Sequence, residues 1–386
     1  MSMSFSFIHT ADWQIGKPFR NFPERLAGRL EEARLDAIDR LAEAARARGI
    51  RHVLVAGDIW DSDRLSSREE RQPLVRMGKH TDVTWVLIPG NHDAARAGSV
   101  WSRLANLGAP VNVVALAEPR PAEIAPGVVV LPAPLLSRRP GSDPTAWMDH
   151  AETGAGTRRI GLAHGSIQGF GIDDSGEGII DAARAKRARL DYLALGDWHG
   201  ATRINARTWY SGTPEPDRFK DNEPGEALAV TLGPAGVDPV VERIATGRFV
   251  WVDDEVDVAT IQDLDLFAAT IRRRGVALDR IMLKLRLKGR LSLGDLIAVE
   301  AWRDLFQAEL QHLDCDTRGL GLLAGMDLDV FGKSGELRTA ATTLTALASA
   351  PDEPRAADAS EALRQLLSIL AEVRAGPQVP DAGAGR

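Results

Sequence analysis

Between Phe5 and Gly200 this chain runs five short apolar stretches, each straight into a polar cluster. The clusters are Asp12 to Gln14, Gly57 with Asp58, Gly90 to Asp93, His164 with Gly165, and Gly196 to Gly200. The last two stretches, Ile160–Ala163 and Tyr192–Leu195, have the form of strands buried on both faces. Between them come helical patterns. Pro23–Arg48 carries Leu26, Leu30, Ala33, Ala37, Leu41 and Ala44 on one face. Gly49 stands where a helix C-cap belongs, and Ser66–Lys79 reads as the next helix. Strand, helix, strand order predicts a largely parallel sheet covered by helices. In such a sheet the C-terminal strand ends open on one crevice. Clusters spread over residues 12–199 are therefore expected to meet in space.

The remaining strands expected in this part are Phe5–His9, His52–Ala56, Val83–Ile88, Val111–Leu116 and Val128–Leu131, closed by Ala227–Leu232 and Val240–Ile244. A length of 386 residues fits more than one domain, and the composition changes near Gly247. Residues 1–247 read as the first domain and 248–332 as a smaller α+β domain. The latter has strands at Val250–Val256, Ile281–Leu287 and Leu313–Thr317 and helices at Ile261–Arg274 and Ser292–His312. Two C-terminal helices are expected within 333–374, and 375–386, rich in Gly, Pro and Ala, reads as a disordered tail.

Composition narrows the function classes. With 44% hydrophobic and 26% charged residues the chain reads as a soluble globular protein. No apolar run is long enough to span a bilayer, and no secretory signal is recognisable, so a cytoplasmic location is expected. One cysteine, Cys315, excludes an internal disulfide and a cysteine-built zinc site. A net charge of −7 argues against a protein that coats DNA by charge alone. It does not exclude a nuclease, because bound divalent cations supply positive charge where the phosphate sits.

The clusters suit such cations. Carboxylate and amide oxygens bind hard divalent ions, imidazole extends the set to Mn²⁺, Fe²⁺ and Zn²⁺, and a pair of ions shares a carboxylate. The ladder D-x-[H/Q], GD, GNHD, HG and G[H/D]xH resembles that of the calcineurin-like metallophosphoesterases. The flanking words HTADWQIGKPF, VAGDIWDS and YSGTPEPDRF look most like the SbcD-type DNA repair exonucleases, including the YhaO-like group. The resemblance covers residues 5–220 and is only topological beyond Gly247. It implies a four-layer α/β/β/α sandwich with a smaller capping domain. It implies a first ion among Asp12, Gln14, Asp58 and His199, and a second among Asp58, Asn91, His164 and Asp197, with Asp58 as the bridge. His92 would protonate the leaving oxygen, with Asp93 orienting it from behind.

Two positions depart from the family pattern: Gln14 and Asp197 stand where histidine is usual. Glutamine offers a weaker, neutral oxygen; aspartate adds charge, so the ligands carry −3 where two aspartates would give −2. The expected ions are two Mn²⁺, with Mg²⁺ as the alternative. The competing expectation is that Gln14 leaves the first position weakly held and the enzyme slow or dead.

Arg20, Arg96 and Trp198 are the candidates for substrate contact, with Arg203, Arg207, Arg218 and Lys220 as further cations near the clusters. Trp13 and Trp60 are expected to wall the metal loops, His9 to support a strand end, and residues 212–217 to shape the rim without doing chemistry. The stripe Leu363, Leu366, Leu367, Leu370 and Val373 either packs on the second domain or, as the resemblance implies, docks on an SbcC-like coiled-coil ATPase. A homodimer stays open. The expected function is a metal-dependent DNA nuclease, a 3′→5′ exonuclease with single-strand endonuclease activity, acting in DNA repair with that ATPase. A small-nucleotide phosphodiesterase or phosphoprotein phosphatase, and a catalytically weak DNA-end-binding subunit, are the alternatives.

Overall fold

A computed structural model describes residues 4–62, 64–170, 178–219, 224–323, 328–350 and 353–375. The chain divides into two compact units, one ending at Phe249 and the other beginning at Val250.

The first unit holds two sheets. The strands β1 (Phe5–Thr10), β2 (His52–Val55), β3 (Thr84–Leu87) and β4 (Val113–Ala115) run parallel in one of them. The strands β5 (Ala122–Ala125), β6 (Val128–Ala133), β7 (Arg158–His164), β8 (Tyr192–Gly196), β9 (Thr202–Arg203) and β10 (Thr208–Tyr210) form the other, in the order β5-β6-β7-β8-β10-β9. Its four central strands are parallel, and β5 and β9 are antiparallel edges. The chain then returns to the first sheet as β11 (Glu226–Leu232) and β12 (Val240–Ala245), both antiparallel, giving β12-β11-β1-β2-β3-β4.

Alternation within the strands separates three cores. Phe7, Leu54, Val86, Val130, Ile160, Leu162 and Tyr192 meet between the sheets. The opposite face of the first sheet, with Ile8, Val53, Val55, Trp85 and Leu87, is covered by α1 (Glu24–Ala47), α2 (Ser67–Lys79) and α3 (Val100–Leu107). The outer face of the second sheet, with Leu131, Ala163, Leu193 and Leu195, is covered by a 3₁₀ turn at Ala146–His150 and the short α4 (Arg184–Arg187). The layers are therefore helix, sheet, sheet, helix. The single parallel sheet that periodicity alone suggests is in fact two. Runs buried on both faces read alike whether a helix or a second sheet covers them.

The helix ends follow the expected chemistry. Gly49 has φ +66°; its amide donates to Arg46 O at 3.0 Å and that of Ile50 to Ala45 O at 2.9 Å, which stops α1. Ser66 and Glu69 form a reciprocal capping box at the start of α2.

The second unit is built on β13 (Val250–Asp257), α5 (Ile261–Arg272), β14 (Ile281–Leu291), α6 (Leu293–Glu309) and β15 (His312–Leu322), then α7 (Glu336–Ser349) and α8 (Ala356–Ala375). Its three strands are all parallel, so helices, not hairpins, make the connections expected for the α+β domain. In α8, Leu363 is buried in this unit's core with Leu366 and Leu370 against it. The side chains of Leu367 and Val373 lie outside the described residues, as does the expected tail 375–386 apart from Ala375, which ends α8. Among the described residues no helix is long and apolar enough to cross a membrane.

Candidate metal centre

All five clusters sit at C-terminal strand ends, three on the first sheet (β1, β2, β3) and two on the second (β7, β8). Backbone bonds tie the loops together beyond the strands. The Asp12 amide donates to Gly57 O at 3.1 Å, that of Gln14 to Asp58 O at 2.9 Å, and that of Gly165 to Gly196 O at 3.2 Å. Across the sheets the Asp197 amide reaches both carboxylate oxygens of Asp12, at 3.1 and 3.2 Å. Among the described residues five non-glycines have positive φ, and four are expected ligands: Asp12 (+56°), Gln14 (+44°), Asp58 (+55°) and Asp197 (+102°). Such conformations cost about 1–3 kcal/mol each and persist where the surroundings over-determine them.

The donor set fits a cation. The ligand atoms of Asp12, Asp58 and His164 all lie within 4.8 Å of one another and are buried. The Nδ1 of His164 donates to Ala56 O at 2.7 Å, which turns Nε2 toward Asn91 Oδ1 (3.3 Å), Asp58 Oδ1 (3.6 Å) and Asp197 Oδ1 (3.9 Å). A neutral imidazole would aim a lone pair at three oxygens there, so a positive charge is required between them. The proton shows the same demand. Burial opposes a charge on His164, yet Asp58, Asp12 and Asp197 outweigh it and lift the pKa to about 9. Burial is also the main reason that the Asp12 carboxyl rises to about 6, against the pull of His164 and His199. Asp12, Asp58 and His164 are thus close enough to share one ion, and Asn91 and Asp197, expected with Asp58 and His164 at the second position, face the same His164 nitrogen. The first position, at Asp12, Asp58 and His199, has Gln14 Nε2 at 3.4 Å from His199 Nε2.

His92 stands apart from this cluster, its side chain 41% exposed and its Nε2 4.0 Å from Asp58 Oδ2. Its orienting partner is not Asp93. The His92 Nδ1 faces the Asp61 carbonyl at 2.9 Å, while the buried Asp93 carboxylate accepts from the amides of Gly90 (2.6 Å), Ile59 (3.0 Å) and Trp60 (3.3 Å). Asp93 therefore joins the β2 loop to the β3 loop. A backbone carbonyl carries no side-chain signature, which is why sequence reasoning missed Asp61.

The segment 212–217 does more than shape a rim. Asp217 is buried, binds Lys17 and Arg34, and lies 3.7 Å from His199 Nδ1. Burial opposes its charge, but His199, Arg34 and Lys17 hold its carboxyl far below the usual range. Thr213 Oγ1 donates to Asp12 O at 2.8 Å. An acidic residue in a Pro-containing run straight after a buried strand was the available signal.

Of the substrate candidates, Arg20 and Arg96 are exposed. Trp198 is half-buried, edge-on to Phe170 at 5.1 Å. Trp13 and Trp60 are buried against Trp85 and Trp101, so they wall the loops. Arg203 lies over the Trp209 ring, Arg207 binds Asp238, and Arg218 lies 3.4 Å from His199 Nδ1. Lys220 falls outside the described residues. His9 is buried and bonds Tyr192 across the sandwich at 3.0 Å.

No curated protein matches the chain. Among solved structures it is similar to TT1561 of Thermus thermophilus, at 11% identity and TM-score 0.43, over 63% of this chain and 100% of that one. It is also similar to a purple acid phosphatase from yellow lupin (Lupinus luteus) seeds, at 14% identity and TM-score 0.41, over 64% and 52%. A dimetal phosphatase from Danio rerio aligns at 12% identity and TM-score 0.35, over 61% and 98%. The sequence profile of the calcineurin-like phosphoesterases matches residues 5–201, just over half of the 386, and covers all five clusters. The chain therefore belongs to the calcineurin-like phosphoesterase family.

Proposed function

We propose that this metallophosphoesterase is a DNA nuclease that uses two divalent ions, Mn²⁺ or Mg²⁺, and cuts phosphodiesters as a 3′→5′ exonuclease and single-strand endonuclease. The observation that carries the phosphoester chemistry is the buried His164 nitrogen turned toward Asn91, Asp58 and Asp197 by its bond to Ala56. When bound, the ions would neutralise the phosphate and make a water acidic enough to attack it. The protein's own part is to position and to move a proton. Asp61 O holds His92 Nδ1, leaving Nε2, 4.0 Å from Asp58 Oδ2, to protonate the leaving oxygen. Support for DNA over smaller esters lies in the three SbcD-like words. They contribute Gln14, Lys17, Trp60 and Asp217, the side chains packed around the metal loops. A repair role with an SbcC-like ATPase rests on the same resemblance and on Ile369, which α8 leaves exposed.

The test is metal-stripped protein restored with Mn²⁺ and assayed on linear DNA and on bis-p-nitrophenyl phosphate. Cleavage of both is expected. Cleavage of the small ester alone would move the substrate to a nucleotide or phosphoprotein, and DNA binding without cleavage would make the chain an end-binding subunit. His92→Ala should lose about 10²–10⁴-fold in turnover while keeping its metal. Ile369→Asp, at a position that α8 leaves exposed, should weaken association with the ATPase.

A further inference from the structure

Three side chains around the first metal position form a chain of contacts that fixes an amide. The Lys17 ammonium binds Asp217 and lies 3.4 Å from Gln14 Oε1. Asp217 is kept in place from behind by Arg34, at 3.2 Å and equally buried. An ammonium has donors and no acceptor, so the Gln14 atom facing it has to be the oxygen. The other end of the amide, Nε2, is then the end that faces His199 Nε2 at 3.4 Å. His199 Nδ1 faces Asp217 Oδ1 at 3.7 Å, so Nε2 is the nitrogen left to hold the first ion. An amide NH₂ has no lone pair for a cation. Turning the amide over would bring its oxygen to the ion but set the NH₂ against the Lys17 ammonium, donor against donor.

We propose that Lys17 and Asp217 hold Gln14 nitrogen-first, so that the chain binds one divalent ion tightly through Asp58, Asn91, His164 and Asp197 and a second one about tenfold or more weakly. Gln14 is then a positioning residue of the first site and not one of its ligands. The inference rests on the two-metal reading above, and it deepens it by ranking the two positions.

The test counts ions. Full-length protein is stripped with chelator and dialysed against graded Mn²⁺, and bound metal is measured by mass spectrometry. The wild type should take one equivalent at low Mn²⁺ and a second only at about tenfold or more higher concentration. Gln14→His, which supplies the missing imidazole, should take two over one concentration range. Lys17→Met should tighten the second ion by releasing the amide. Removing a cation also favours metal by charge alone, so Lys17→Met is repeated in a Gln14→Ala background, where the gain should largely vanish. Uptake of two ions in one step by the wild type would overturn the proposal. So would a Lys17→Met gain that is the same with and without Gln14, or no gain at all. Circular dichroism of each variant checks folding, and Asp217 keeps Arg34 as partner when Lys17 is replaced. Because ions are counted and not turnover, a chain that loads as described yet cleaves no phosphoester would sink the proposed function and leave this inference standing.

Discussion

His164 Nδ1 sits 2.7 Å from the carbonyl oxygen of Ala56, a residue of the other sheet's loop, and this bond decides which nitrogen faces the metal centre. The contact is possible because nothing stands between the β2 and β8 loops. A Cβ on Gly196 would lie 2.1 Å from Ala56 O and 2.7 Å from His164 Nδ1. Gly196→Ala should therefore cost about 1–3 kcal/mol as overpacking and weaken Mn²⁺ binding by about tenfold or more through the displaced imidazole. Urea unfolding and metal dialysis check the two effects; unchanged metal affinity would show that the His164–Ala56 bond does not set the ligand.

Asp93 offers a second test, since its carboxylate accepts from three amides on two loops. Asn in its place keeps the shape but turns an NH₂ toward at least one amide donor. Burial and the nearby Asp58 raise the Asp93 pKa to about 7, and loss of such a buried acceptor is worth about 1–3 kcal/mol. Asp93→Asn is expected to lower stability by that amount. It should weaken metal binding too, because Ile59 and Trp60 directly follow Asp58. If turnover fell with stability and metal content unchanged, Asp93 would act on His92 and not on the loops.

How much of this was legible in the chain depends on how local each signal is. The clusters at Asp12, Asp58, Asn91, His164 and Asp197 announce themselves because strand, glycine and ligand are contiguous. The α1 stripe and the Ser66 box are equally local. By contrast β9 and β10 are two and three residues long, too short for any period to show. The partition into two sheets depends on which face of β1 meets β8, a contact between residues more than 180 apart such as His9 and Tyr192. The supports of the site, Asp61 O behind His92 and Asp217 behind His199, are likewise long-range.

Glu215, in the same segment as Asp217, ties the end of the first unit down. It is buried, accepts from Arg40 at 2.5 Å, and takes the amides of Arg248 and Phe249 at 2.6 and 3.0 Å. Burial raises its pKa, yet these partners give it reason to stay ionised. Glu215→Ala strands two amides and takes a carboxylate from Arg40, which keeps the carbonyls of Ala33 and Thr246, for a loss of about 1–3 kcal/mol. Glu215→Gln should lose less, because its oxygen can still accept one amide. Thermal unfolding of the two variants checks the order, and faster proteolysis near Phe249 should accompany the larger loss.

His9 predicts a pH dependence of stability that has nothing to do with the metals. It is buried between the sheets, with Tyr192 Oη at 3.0 Å and the Tyr192 ring edge-on at 5.7 Å. Burial lowers its pKa from 6.5 to about 3, against a smaller opposing effect of the Leu195 carbonyl. Above pH 6.5 both folded and unfolded chains hold it neutral, and its contribution is fully present. Between pH 6.5 and about 3 the unfolded chain takes up a proton that the folded one refuses, so stability falls with acidification by up to about 1.4 kcal/mol per pH unit. His9→Phe keeps the volume and removes the titration. The difference in unfolding free energy between wild type and variant, measured with chelator present at pH 7, 6, 5 and 4.5 to cancel the carboxylates common to both, should move steadily in the variant's favour below about pH 6.5. Parallel profiles would mean that the imidazole is protonated inside the sandwich, and the core between β1 and β8 would then have to hold a charge.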